Sequence, residues 1–556
     1  MSNLRNVQPV PLSIERRARL HQYPHISMET SGQYSNTFPI KAHHRREKME
    51  NNGEKYQSEV PLSDNATKTT HSYIPLTLYS IGISLAGLIF GYDIGTIGAI
   101  IDMPAFISRF GDNIEVTPIE FYPMTKGVLI GIGSLGGCIG GFITSTLVQF
   151  WGPRKALFLS GLISILGDIV IFFSLNWWQI AIGRTIYGVS CGIICVVCPM
   201  LISDLSPTNK RGLFISIMQL NITSGILIGA FTMLLSNIQF GDNLTNHWQY
   251  NYPVLQEIIF GIIICAVIFF IPESPTWLLS KNRHNLDKAI RSIARCYQLN
   301  ESDPVVRIQV EKISALVNSE ESELDSLLEK LNNSLLKGQP KYLLRTFTGI
   351  VLSCLQQFTG INYFFFFSVA IFRTVGISNP YVVPIFLSSV NVIFSLFSVL
   401  LIVRYQRLTL LKLGSYLLSI TMFIFTTLGI TSSKSNVGAI LMIVTSCIFI
   451  AVFATTWGPL VSIIVSELYP PSVKVKAMGI CGCAGWISTF LVSFMIPILS
   501  KILGFALGYI FCAFIILGIA FIYFFLPETR HVEISALDAI YDADIYPRRL
   551  GCFRPK

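Results

Sequence analysis

The residues best equipped for chemistry are Gln356-Gln357-Phe358-Thr359-Gly360-Ile361-Asn362-Tyr363, followed by four phenylalanines, Phe364 to Phe367. They lie inside a long apolar segment, Leu343 to Val369. An amide left without a partner in hydrocarbon costs several kcal/mol, so such groups turn toward other helices or a wet cavity. Successive helical residues are about 100° apart, so Gln356 and Gln357 cannot both point down one axis. Asn362 follows within two turns on a roughly similar side, and Gly360 lets another backbone come close. Amides are uncharged and both donate and accept, which suits a neutral polyhydroxy ligand better than an ion. A lone intramembrane glutamine is more often interhelical glue. Three amides beside an aromatic run point to the wall of a binding cavity.

The elements that must position them are membrane helices. Of 556 residues, 51% are hydrophobic and 13% charged, against roughly 25% charged in soluble domains. Twelve apolar segments reach the roughly 20 residues a crossing needs. Their limits are near 75–99, 124–149, 156–176, 178–203, 212–236, 253–272, 344–368, 381–402, 409–431, 437–466, 475–499 and 503–526. The expected fold class is therefore an all-α membrane protein of twelve transmembrane helices in two six-helix bundles. The expected division is a disordered cytoplasmic arm over 1–73, a first bundle over 74–272 and a connector over 273–342 with short amphipathic surface helices. A second bundle over 343–526 and a cytoplasmic tail over 527–556 complete it. The polar first 70 residues lack the apolar core of a signal peptide, so the first span is expected to direct insertion.

Charge sets the orientation. Arg154/Lys155, Lys210/Arg211, the connector, Arg404/Arg407/Lys412 and Lys474/Lys476 all fall on one side, with both tails. The other side has only Arg109, Lys126, Arg373, Lys434 and Lys501 as basic residues. By the positive-inside rule both termini are cytoplasmic. The net charge of +9 then faces anionic lipid and implies no nucleic acid. Asn243-Leu244-Thr245 falls in an outer loop and is a glycosylation candidate. Cys191, Cys195 and Cys198 share a helix face without a nearby His; packing explains them better than metal or redox chemistry.

Ser203-Asp204-Leu205-Ser206-Pro207 is echoed by Ser466-Glu467-Leu468-Tyr469-Pro470, each followed by basic residues and each closing an even-numbered helix. A parallel repeat of two six-helix halves follows, the architecture of a rocking-bundle carrier.

These residues, with Gly91-Tyr92-Asp93-Ile94-Gly95, Gly183-Arg184-Thr185-Ile186-Tyr187-Gly188 and Pro272-Glu273-Ser274-Pro275-Thr276-Trp277-Leu278, carry a resemblance. So do Phe453-Ala454-Thr455-Thr456-Trp457-Gly458-Pro459 and Pro527-Glu528-Thr529. The sequence resembles the sugar porter family of the major facilitator superfamily, and most closely the fungal hexose transporters, from about 75 to 540. The resemblance implies a small neutral sugar or polyol held at mid-membrane by Gln219, Gln356, Gln357, Asn362 and Asn391, with Trp486 as an apolar platform. It implies a cytoplasmic gate in which Asp204 and Glu467 partner Arg154 and Arg407. It places Asp93 against Arg184, either as a proton-coupling pair or as a structural one. Asp168, in helix 3, is a second candidate for coupling, or else a hydrated residue near the outer interface. No cofactor or metal is implied, and the plasma membrane is the family's default location.

The sequence departs from the family at several places. Gln149 and Val403 replace the gate acids, and Gln406 replaces a glycine. Ser462 and Gly485 replace larger side chains, and Phe366-Phe367 replaces a tyrosine pair. A wider, less polar cavity and a gate biased toward opening inward are expected. Two functions fit this pattern: a carrier, facilitated or proton-coupled, and a sugar sensor of the same fold. The short tail after Pro527 disfavours the sensor. No nucleophile–base set or phosphate-binding loop supports an enzyme, and amides in place of charged rings disfavour a channel.

Overall fold

The computed structural model describes residues 74–113, 119–206, 211–241, 246–281, 285–315, 341–377, 379–433, 435–469 and 471–530, with positions 532, 537 and 541. The arm expected over 1–73, the tripeptide at Asn243, Lys210, connector residues 316–340 and most of the tail lie outside the described residues.

The first half is built from α1 (Ile74–Ile101), the short α2 (Pro104–Phe110), α3 (Pro123–Trp151), α4 (Pro153–Phe172), α5 (Trp177–Leu205), α6 (Arg211–Phe240) and α7 (Trp248–Phe270). The connector contributes α8 (Pro275–Lys281), α9 (Leu286–Tyr297) and α10 (304–315). The second half holds α11 (Tyr342–Phe358), α12 (Ile361–Thr374), α13 (Val383–Arg404), α14 (Arg407–Thr431), α15 (Asn436–Thr455), α16 (Trp457–Glu467), α17 (Pro471–Leu503) and α18 (Leu507–Phe525). Helices are the element of choice because each satisfies its own backbone hydrogen bonds away from water.

Eleven helical stretches are long and apolar enough to cross a bilayer. The last, Ala477–Phe525, has 49 residues, about 73 Å at 1.5 Å per residue, enough for two crossings. Gly504, at φ +55°, ends α17, and the tight turn Gly504–Ala506 leads into α18. The chain therefore makes twelve crossings. Two of them are broken: α11 and α12 form one span interrupted at Gly360, φ +86°, and α15 and α16 form another interrupted at Thr456.

Within the first half, α1 packs on α6, α3 on α5, and α4 on α5 and α7. Close approach is decisive between α3 and α5, where a Cβ on Gly188 would collide with the Gly133 carbonyl. In the second half α14 packs on α15 and α18, α13 on α15, and α11 on α17. The halves meet along three pairs: α1 with α12, α3 with α17, and α6 with α13. Cys191 and Cys198 are buried, the latter's thiol reaching the Ile83 carbonyl across α1, which is the packing role expected of them.

The two ends of the joint differ. Outer-end residues of the first half, Ile97, Phe106, Phe121, Leu129 and Ile180, belong to the same apolar core as the whole second half. Inner-end residues such as Ile83, Ile194 and Phe214 form a separate core that, among the described residues, Trp486 alone of the second half touches. At the outer end, a Cβ on Gly98 would strike the Phe366 carbonyl and one on Gly127 the Phe494 carbonyl. Arg373 donates to the Asp102 carbonyl at 3.1 Å, and Asp102 pairs with Lys126. Among the described residues the contacts between the halves gather at mid-depth and at the end remote from the basic loops.

Candidate functional site

At 1.5 Å per residue, Gln356, Asn391 and Trp486 each stand about 20 Å from the basic ends of α11, α13 and α17. Gln219 stands about 12 Å from that end of α6. All are at intermediate depth, on spans that bring the halves together.

Their hydrogen bonding is divided. Gln356 donates through Nε2 to the Trp457 and Gly458 carbonyls at 2.8 and 3.2 Å. These carbonyls sit where the α15–α16 span breaks, so its amide N–H groups hold the break and leave only Oε1 for a ligand. Asn362 donates to Gln357 Oε1 at 3.2 Å, which leaves the Gln357 amino group and the Asn362 oxygen. Gln219 and Asn391 make no side-chain hydrogen bond among the described residues. Gln219, Gln356 and Gln357 remain half-exposed while Asn362 and Asn391 are buried. The amides are thus not closed on one another. Trp486 lies on Gly137 of α3 and meets Phe90 edge-on at 5.5 Å, an aromatic floor shared by both halves. Gly485 has room around it, since a Cβ there would meet only Ser353 at 3.8 Å.

A second polar centre lies inside the first half. Asp93 and Arg184 form an ion pair with a further contact at 3.4 Å, and Arg184 also reaches the Ile130 carbonyl at 3.5 Å. Asp168 is 1% exposed and neither carboxylate oxygen has a partner. It lies one turn from the outer end of α4, as considered from sequence, but is buried against the bundle there. Sequence reasoning missed Glu257 on α7, which is buried with Oε1 unpartnered. An acid alone in an apolar span was signal enough. Gly261 packs against Ser164 and Ile165 of α4, so Asp168 and Glu257 face each other one turn further out. A cavity of about 30 Å³, room for a water or two, is lined by Asp93, Thr96, Arg184, Tyr250 and Glu257.

At the basic end each half carries the same four-part cluster. Glu273 accepts from the Arg154 backbone N–H at 2.9 Å, and Ser274 donates to Asp204. Glu528 accepts from the Arg407 and Leu408 N–H groups at 3.0 Å, and Thr529 donates to Glu467 at 2.5 Å. Arg407 reaches Glu467 at 3.4 Å, as expected. Arg154 does not meet Asp204 directly; its guanidinium donates to the Ile268 and Phe269 carbonyls. Glu273 instead caps the N-terminus of α4 through the Arg154 N–H, while its neighbour Ser274 holds Asp204. Among the described residues the printed contacts of each cluster stay within one half, where they brace its bundle.

Two bundles that pair helix by helix, fused at one end around a mid-depth polar centre, define an alternating-access membrane carrier. The profile of the sugar (and other) transporter family matches residues 79–541, and the chain belongs to that family, the sugar porters of the major facilitator superfamily. It is 31% identical over 543 residues to a high-affinity hexose transporter, HXT6, of Saccharomyces cerevisiae, covering 96% of this chain and 93% of that one. A low-affinity glucose transporter of Kluyveromyces lactis is 30% identical over 502 residues, 88% of this chain and 86% of that one. Among solved structures, the inward-open xylose transporter XylE of E. coli aligns with a TM-score of 0.68 at 21% identity, covering 84% of this chain and all (100%) of that one.

Proposed function

We propose that the protein carries a neutral hexose or related polyol across its membrane, with Gln219, Gln356, Gln357, Asn362 and Asn391 as hydroxyl ligands and Trp486 as the apolar platform. The observation that carries this reading is the unused hydrogen-bonding capacity of the mid-depth amides. A ring of hydroxyls finds acceptors at Gln356 Oε1 and Asn362 Oδ1, a donor at the Gln357 amino group, and both at Gln219 and Asn391. The C–H face of a sugar packs on indole. The relatives named for hexose and glucose transport support the substrate class.

Transport is coupled to protons through Asp93 and Arg184, with Asp168 and Glu257 beside them. One guanidinium balances one carboxylate; the remaining acids are buried without hydrogen-bond partners for three of their oxygens, a costly arrangement inside a membrane and a common mark of a proton path. The membrane is the plasma membrane, the setting the family resemblance favours. The test is uptake of labelled hexoses, pentoses and polyols in a transporter-null host, with and without a protonophore. Uptake of a hexose that a protonophore suppresses, and that Asp93→Asn uncouples, is expected. Surface expression with no uptake of any compound would overturn the reading; protonophore-insensitive uptake would remove coupling alone.

A further inference from the structure

On the basic face, away from the transport path, α9 turns Lys288, Arg291 and Arg295 to one side. That side walls an open cavity of about 240 Å³ whose other wall is Arg154, Pro272 and Glu273. The helix is held firmly. Ala289, Ile293 and Cys296 are buried beneath it, and Ser292 donates to the Glu273 carbonyl at 2.6 Å. The cations therefore sit on a fixed scaffold.

The charges in this wall do not balance. Four cations face one carboxylate, Glu273, which already accepts from the Arg154 and Ser274 N–H groups at 2.9 and 3.2 Å. Arg291 reaches Glu301 at 3.4 Å, but the two side chains are 62% and 59% exposed, and water screens such pairs. Asp287, one turn before Arg291, is outside the wall. Lys288 and Arg295 have no acidic partner among the described residues. A concave site with a lysine point charge and two planar guanidinium forks matches the oxygens of a phosphoryl group. It lies beside the inner ends of α4 and α7, where anionic headgroups of the inner leaflet also gather.

We propose that the cavity between α9 and the start of α4 binds a phosphate-bearing anion, gripped by Lys288, Arg291 and Arg295 with Arg154 behind them. The ligand bridges the connector to the base of the first half and stabilises that half. Its source is either a phosphorylated lipid headgroup or a free phosphate ester, and the two share the same chemistry.

The test uses the full chain in phosphatidylcholine nanodiscs, with and without phosphatidylinositol bisphosphate. Soluble inositol trisphosphate is titrated into the lipid-neutral sample. Retention of the lipid in native mass spectra, and the upward shift in melting temperature, are the readouts. Binding of either probe is expected to fall at least about tenfold in Lys288→Gln/Arg295→Gln, while Arg307→Gln/Lys312→Gln, an exposed pair on α10 outside the wall, leaves it unchanged. Retention of the lipid alone assigns a headgroup; binding of inositol trisphosphate as well assigns a free phosphate ester. Failure of both probes to bind the unaltered chain, or equal loss in the two double variants, overturns the proposal. Both variants are exposed-site changes, and a monodisperse size-exclusion profile verifies that each folds.

Discussion

The two halves repeat one architecture but handle polarity in opposite ways. The first half places ionisable side chains in its interior: Asp93, Asp168, Arg184 and Glu257 on α1, α4, α5 and α7. The second half places neutral amides on spans that break: Gln356, Gln357 and Asn362 around Gly360, with Gln356 also holding the carbonyls freed at Thr456. The packing differs with it. Backbone meets backbone at Gly188 in the first half, whereas Gly479 and Gly482 of the second have nothing within 4 Å of a would-be Cβ. An ion pair needs a rigid, close-packed setting to repay its desolvation. A site that must bind and release a neutral molecule needs broken helices and open space. At the basic ends, where both halves do the same structural job, the Arg154/Glu273 and Arg407/Glu528 clusters remain near copies.

That contrast can be broken most forcefully at Arg184. Arg184→Ala leaves three buried acids without a cation, at a cost of about 3–5 kcal/mol. Loss of monodisperse protein and of all uptake is the expected outcome; normal melting behaviour would show that the charges of the first half are not held as described. Next comes Gly188→Ala, which drives a methyl into the Gly133 carbonyl. About 1–3 kcal/mol of destabilisation should appear as a lower melting temperature, whereas Gly482→Ala in the second half should change it little or raise it slightly.

Among the amides, Asn391→Ala removes a side chain proposed as a ligand, with no other hydrogen bond among the described residues. Uptake kcat/KM should fall roughly 10–100-fold, from about 1–3 kcal/mol of lost hydrogen bonding, with stability intact. Gln356→Ala should lose both, because two carbonyls at the break lose their donor. If the two variants melt alike, Gln356 has no structural duty.

The smallest effect concerns Glu273, outside the spans. Burial pushes its carboxyl above the ordinary value despite the lowering influence of Arg154 and Lys155. A carboxyl raised in the fold favours the folded state as pH falls from that raised value toward the ordinary one, and the gain is lost as pH rises through it. Melting temperature should therefore climb modestly on mild acidification, and Glu273→Gln should flatten that slope. A steeper slope in Glu273→Gln would refute the sign.

Reading the chain gave the right spans because the length of an apolar run is a local property. The pairings of Asp93 with Arg184 and of Arg407 with Glu467, which the family resemblance implied, are both present as contacts. A direct Arg154–Asp204 pair is absent among the described residues, where the Arg154 guanidinium turns to the Ile268 and Phe269 carbonyls, and the sequence overlooked Glu257, whose neighbour Asp168 lies on another helix. Nor could it show that Gln356 turns its N–H groups to a helix break 101 positions away.

What the sequence by itself determined is the set of twelve crossings, their two-part repeat, and the supply of neutral amides and acids at membrane depth. These depend on residue type and short-range spacing, which the chain carries along its length. The tertiary structure alone decided which hydrogen-bonding groups stay free, which acids share one guanidinium, and which end of the joint is closed. Those outcomes depend on helices far apart in sequence packing at a particular depth and rotation, where a shift of one residue turns a side chain by about 100°.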